Sequence, residues 1–166
     1  MSKEDRIWLE EALKQYTFND TDKLKEDCVE LKNHALLENS RVIYLLEDVE
    51  ELIEMHPRNS LNICICGGMQ TMFDIVFNNT NGDSRRLACA IISYCTQNNP
   101  EVQKIVTKLT PLNLMHQYLR ESDVKNKEAV ISALAAFLSG NNFESKKEFL
   151  TNESGLSFIK EILANK

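Results

Sequence analysis

Cysteine and histidine offer the broadest chemistry in this chain, and their spacing decides how much of it is open. Five cysteines occur, Cys28, Cys64, Cys66, Cys89 and Cys95, with three histidines, His34, His56 and His116. Cys64 and Cys66 are separated by one residue, not the two of a zinc ribbon, and no second ligand pair follows. The histidines fit no HExxH or other ligand spacing. An odd number of cysteines behind an N-terminus with no apolar leader argues against a disulfide framework, so they read as small buried hydrophobes. Cys95 and His116 are the one conceivable nucleophile–base pair, and the repeat register described below sets both at core positions. No GxSxG, P-loop or GxGxxG pattern is present. Gly67–Gly68 precedes a helix and could offer amides to an anion. It also stands at a break between helices, where glycine supplies a positive φ, and no phosphate-binding lysine follows. The expectation is a protein that is not an enzyme and uses no metal or cofactor.

The elements that must position these residues are helical nearly throughout. Leu9, Leu13 and Tyr16 share one helical face, as do Leu24, Cys28, Leu31 and Ala35, so residues 3–38 are expected to form two helices. Ser40 is placed to cap a helix carrying Val42, Leu45, Val49, Leu52 and Ile53, which should stop near His56 because Pro57 follows. Further helices are marked by Leu87, Ile91, Ile92 and Cys95, and by Ala129, Val130, Ala133, Leu134, Phe137 and Leu138. No useful length alternates apolar with polar as a half-buried strand would. The fold class expected is all-α.

The breaks recur. His56–Asn59, Gln97–Pro100 and Ser139–Asn142 each follow a long helix. Leu52, Cys95 and Leu138 recur at a step of 43, and so do Val49, Ile92 and Ala135. A period near 43 with three helices per unit is the armadillo or HEAT-like signature, a right-handed superhelix of stacked repeats. The units fall at about 40–81, 82–122 and 123–166. Residues 1–39 are expected to cap the first repeat. No comparable cap follows the third unit, so the chain reads as a piece of a longer solenoid.

Composition limits the partners. The 166 residues carry 43% hydrophobic and 27% charged side chains with only 5 Gly and 3 Pro, which fits a globular helical domain. The net charge of −6 disfavours nucleic acid. No apolar run approaches the roughly 20 residues of a membrane-spanning helix, and the opening MSKEDRIWLEE lacks the apolar core of a secretory signal. A cytoplasmic location is therefore expected. Residues 1–57 hold 7 basic and 15 acidic side chains, a net −8, against +2 for the remainder. An acidic end of this kind can steer a basic partner.

In a curved solenoid the last helix of each unit lines the concave side. Gln70, Asp74 and Asn78 fall on the first such helix, Asn113, Gln117 and Arg120 on the second, and Ser157 and Lys160 on the third. Gln70 with Asn113, and Asp74 with Gln117, keep the step of 43, so a polar ladder runs along the groove. QNNPEVQ has its own local logic. Asn98 or Asn99 can cap the next helix with Pro100 at its first position, but capping explains neither Gln97 nor Gln103.

Three segments resemble one family. Residues 58–69, RNSLNICICGGM, resemble the DNAxDFxxxGGM signature of the armadillo-type cytosolic nucleotide-exchange factors of seventy-kilodalton heat-shock chaperones. Residues 85–106, RRLACAIISYCTQNNPEVQKIV, resemble that family's RWRAAxxIGTxxQNNPxxQxxV block, and RIWLEEAL at 6–13 is similar to its opening RxWLxEAM helix. The resemblance implies a curved surface that grips lobe II of the chaperone's nucleotide-binding domain, loosens the adenine cleft and releases ADP by favouring the open conformer. The matching positions are Asn59 and Asn62, then Arg85, Gln97, Asn98, Asn99, Pro100 and Gln103. Arg58 and Asn62 replace the family's two Asp, and Arg86 stands where it prefers Trp. The family domain usually has four repeats. The other reading is a general armadillo scaffold for proteins or peptides without exchange activity.

Overall fold

Helix α1 (Lys3–Leu31) is set by a capping box at its start, in which the Ser2 hydroxyl accepts from the Asp5 amide at 3.0 Å and the Ser2 amide donates to the Asp5 carboxylate at 2.8 Å. The computed structural model of the chain describes residues 2–151 and 153–164. Where two helices were expected before residue 38, α1 is continuous, followed only by a 3-10 turn at His34–Leu36. No Gly or Pro interrupts Lys3–Leu31, so the polar stretch near Asp20–Asp22 lowers helix propensity without breaking the helix. Its two halves differ. Leu24, Cys28 and Leu31 are fully buried, whereas Leu9 and Leu13 face solvent; Tyr16, expected on their face, lies outside the described side chains. Lys23 ties the buried half to the next helix, bonding Asp27 at 2.7 Å and Asp48 at 2.6 Å.

Three helix triplets follow. The first is α2 (Asn39–Met55), α3 (Asn59–Ile65) and α4 (Gly68–Asn78). The second is α5 (Gly82–Thr96), α6 (Pro100–Val106) and α7 (Leu114–Arg120), with 3-10 turns at Thr107–Leu109 and Pro111–Asn113 between its last two helices. The third is α8 (Val124–Phe137), α9 (Phe143–Thr151) and α10 (Glu153–Ala164). All the regular structure among the described residues is helical. No single helix there is long and apolar enough to cross a membrane. The long helices stack in a row, α2 on α5 and α5 on α8, while α4 packs on α5 and α7 on α8. One continuous core runs through the stack, from Leu24 through Phe73 and Ile92 to Phe137 and Phe158.

The register of the stack departs from the sequence reading in one place. Leu45, Leu46, Val49 and Leu52 match Ala88, Cys89, Ile92 and Cys95, all buried, at a step of 43. From the second triplet to the third the step is 42. Ser84, Ala88, Ile91, Ile92 and Cys95 are matched by buried Asn126, Val130, Ala133, Leu134 and Phe137, while Ala135, expected in the core, is exposed. The helix caps fix the same step. The Asn81 side chain accepts from the Ser84 amide and that of Asp123 from the Asn126 amide, both at 2.9 Å. At α2 the N-cap is Glu38, so Ser40 lies inside the helix and does not cap it.

A side-chain amide closes the last turn of α2, α5 and α8, where carbonyls lack partners. Asn59 donates to the Leu52 carbonyl at 2.8 Å, Gln103 to the Thr96 carbonyl at 2.8 Å, and Asn142 to the Phe137 carbonyl at 2.9 Å.

Candidate functional site

The polar side chains of α4 and α7 border two adjoining recesses. The first, about 440 Å³, is lined by Lys32, Gly67, Gln70, Thr71 and Asp74. Gly67 enters α4 with φ +79, a conformation that favours glycine, so the glycine pair serves the turn. Asp74 is held in place. His34 Nε2 lies 2.8 Å from its Oδ2, and the Asn78 amide donates to its Oδ1 at 2.6 Å. On the other side of the buried His34 ring, the Asn79 amide nitrogen is 3.1 Å from Nδ1. An amide nitrogen donates only, so Nδ1 accepts and the ring proton sits on Nε2, facing Asp74. The hydrogen bond from His34 holds the Asp74 carboxyl below the usual aspartate range. Asp74 is a fixed carboxylate at neutral pH.

The second recess, about 320 Å³, lies between α4 and α7 and is lined by Phe77, Asn78, Asn113, His116, Gln117 and Arg120. The turn into α7 passes through Thr110 with φ +54, and the Asn113 amide donates to the Thr110 hydroxyl at 3.2 Å. Asn113, His116 and Arg120 are exposed there, while Gln117 is buried. Of the expected ladder, Gln70, Asp74, Asn78, Asn113 and Arg120 therefore share an accessible polar surface. It has a carboxylate at one end and a guanidinium at the other.

Gln117 and Arg85 belong to a hub beneath that surface. Arg85 forks onto Glu121 at 2.8 and 2.9 Å and donates a third bond to the Asn79 carbonyl at 2.9 Å. Gln117 donates to Glu121 at 2.7 Å, and Asn126 of α8 donates to it at 3.4 Å. Burial pushes the Glu121 carboxyl up, but the bonds from Arg85 and Gln117 and the Arg85 charge outweigh it and hold the group below its ordinary range. Arg85 thus joins the end of the first triplet to both ends of the second, and Glu121 carries the link to the third.

The residues singled out from the QNNPEVQ and RNSLN segments separate into three places. Asn59 and Gln103 are buried, and Asn62 donates to the Asn59 side chain at 2.9 Å. Gln103 also reaches the carbonyls of Ala136 at 3.4 Å and Ser139 at 3.2 Å, fastening the second triplet to the third. Their amides are used inside the fold, and the expectation that Asn59 and Gln103 present themselves to a partner gives way to that role. Asn98 turns the chain with φ +52 while its backbone N–H donates to the Ser139 hydroxyl at 2.9 Å, and Asn99, with Pro100 after it, caps α6. Gln97 lies in a different groove, about 350 Å³ between α5 and α8, with Arg86, Ala90, Ser93, Tyr94, Ala129 and Ser132. Cys95 and His116 form no pair, since Cys95 is sealed in the core of α5 and His116, expected in the core, faces solvent on α7.

The chain matches no protein-family model, no curated protein and no solved structure. Its site is therefore read from geometry. Among the described residues no group of three or more His, Cys, Asp or Glu is placed to hold a metal ion. Three contributors escaped the sequence reading: Glu121, His34 and Asn79. Glu121 had a signal, its i,i+4 spacing from Gln117 on one helix face. His34 and Asn79 are 45 residues apart and meet only through the packing of α1's end against α4.

Proposed function

We propose that the triplets form an armadillo-type superhelix that binds the nucleotide-binding domain of a cytosolic seventy-kilodalton heat-shock chaperone at lobe II and promotes ADP release. The observation that carries the proposal is the accessible polar surface shared by α4 and α7, from Gln70 and Asp74 to Asn113 and Arg120. It runs across consecutive triplets, as a surface that grips one large partner must. The resemblance of residues 6–106 to the exchange factors supports the choice of partner. On this reading no bond is made or broken. The protein binds the open conformer of the chaperone more tightly and raises its population by that difference in affinity. The test is release of a fluorescent ADP from the isolated nucleotide-binding domain as this protein is titrated in. Acceleration that saturates supports exchange; release unchanged at saturating protein overturns it.

A specific observation favours a second reading. Asn59 and Gln103, two of the matched positions, serve helix ends inside the fold. The same blocks would therefore persist in a scaffold that binds other proteins or peptides and has no exchange activity. Binding to the nucleotide-binding domain without acceleration would favour that reading.

A further inference from the structure

The groove between α5 and α8 shares no residue with the α4–α7 surface, and its lining has a chemistry of its own. Small side chains make its room of about 350 Å³, Ala90 and Ser93 from α5 and Ala129 and Ser132 from α8. The Tyr94 ring, 53% exposed, borders it together with Gln97. Arg86 also lines it, but its guanidinium is taken up by Asp83 and by the Asn126 side chain at 3.3 Å.

Helix α2 packs on the other side of α5, and the buried residues of the two helices correspond at a step of 43. Equivalent positions on stacked, equivalent helices share one face. By that step Ala90, Ser93, Tyr94 and Gln97 correspond to Glu47, Glu50, Glu51 and Glu54. Apart from Arg86, every α5 position that shapes the groove is therefore a glutamate on α2. Glu47, Glu51 and Glu54 are exposed and Glu50 is half-buried. None of the four forms an ion pair among the described residues, and Arg41, the cation on α2, is held by Glu30 at 2.7 Å. Burial, then the Glu54 and Glu47 charges, pushes the Glu50 carboxyl up, as carboxylates with no cation among them require.

We propose that the α5–α8 groove and the α2 carboxylates form one docking site for an extended basic peptide segment, with an aliphatic side chain in the groove and lysines or arginines on Glu47, Glu51 and Glu54. The segment crosses the long helices. Stacked helices lie about 8–10 Å apart and an extended chain advances about 3.3 Å per residue, so the cations stand about three residues from the aliphatic anchor. The exposed Tyr94 ring lies between the two and offers its face to a passing ammonium or guanidinium. Charge complementarity selects this occupant, because the same carboxylates repel acidic segments and nucleic acid. The site uses none of the α4–α7 residues and does not rest on the chaperone reading.

The experiment follows the anisotropy of a fluorescein-labelled peptide as the full chain is titrated in. The peptide carries one leucine and, about three residues on, a run of lysines. Saturable binding is expected. The double variant Glu51→Gln/Glu54→Gln, both exposed and so compatible with an unchanged melting temperature, should raise Kd at least about tenfold. Serine in place of the peptide's leucine should weaken binding at least about fivefold. Arg120→Glu, on the α4–α7 surface, should leave Kd within about twofold. An absence of binding by wild type, a Kd unmoved by Glu51→Gln/Glu54→Gln, or equal binding of the serine peptide, which marks diffuse attraction to an acidic protein, would each overturn the proposal. Loss of binding by Arg120→Glu would do the same, since it would place the peptide on the other surface.

Discussion

Gln103 donates from one amide to the carbonyls of Thr96, Ala136 and Ser139, and it is 2% exposed. Replacing it with Ala leaves buried carbonyls without a donor, a change that costs about 1–3 kcal/mol. Gln103→Ala should lower the melting temperature while leaving the affinity for any partner at the α4–α7 surface unchanged. Glu121 gives a prediction in pH. Its folded value lies below the ordinary glutamate value of 4.5, so its stabilisation is complete above that value and is lost as pH falls through the folded one. Glu121→Gln should therefore destabilise most at neutral pH. The gap from wild type, followed by denaturant unfolding, should close as the pH drops below about 4.5. A gap that stays constant down to pH 3 would contradict the Arg85 pairing. Capping logic read from QNNPEVQ accounts for Asn99 and Pro100, which act within one turn. It does not reach Gln103, because Gln103's partners are backbone carbonyls in the next triplet, and a carbonyl leaves no mark in the residue types.

Gly68 shows the same limit for whole elements. Any residue larger than glycine at that position meets Cys28 and Ile63, both fixed in the core, so the start of α4 would have to move away from α1. Gly68→Ala should cost about 1–3 kcal/mol by overpacking, read as a lower denaturant midpoint at unchanged slope. The helices themselves were legible, because apolar residues at helical spacing and Pro57 and Pro100 at the breaks are local signals. The third triplet was read one residue out of register. Its helix α8 is rich in small apolar residues (Ala129, Ala133, Ala135, Ala136) that fit a core or a surface, so periodicity cannot choose between a step of 43 and one of 42. The caps Asn81 and Asp123 choose it. The length of α1 was missed for a related reason. A polar stretch resembles a break, but residues 3–31 contain no Gly or Pro, and the polar residues there lower helix propensity too little to interrupt the helix.

Across the whole molecule, the candidate surface was about half legible. A step of 43 brought Gln70, Asp74, Asn113 and Gln117 into correspondence, and of the six ladder residues on α4 and α7, four line the second recess while Gln70 and Asp74 line the first. The ladder could not reveal its own depth. Gln117 faces inward because Glu121, one turn on, must be satisfied beside Arg85, and that pairing spans 36 residues. The most direct measurement is the affinity of wild type, Arg120→Glu and Gln97→Ala for the isolated nucleotide-binding domain of a cytosolic seventy-kilodalton chaperone, by titration calorimetry at matched stability. Arg120 is an exposed charge on the α4–α7 surface, and Gln97 lies in the α5–α8 groove. Binding by wild type, with Kd raised at least about tenfold by Arg120→Glu and unchanged by Gln97→Ala, is the predicted result. An absence of binding by wild type, or a loss caused by Gln97→Ala and not by Arg120→Glu, would contradict the account.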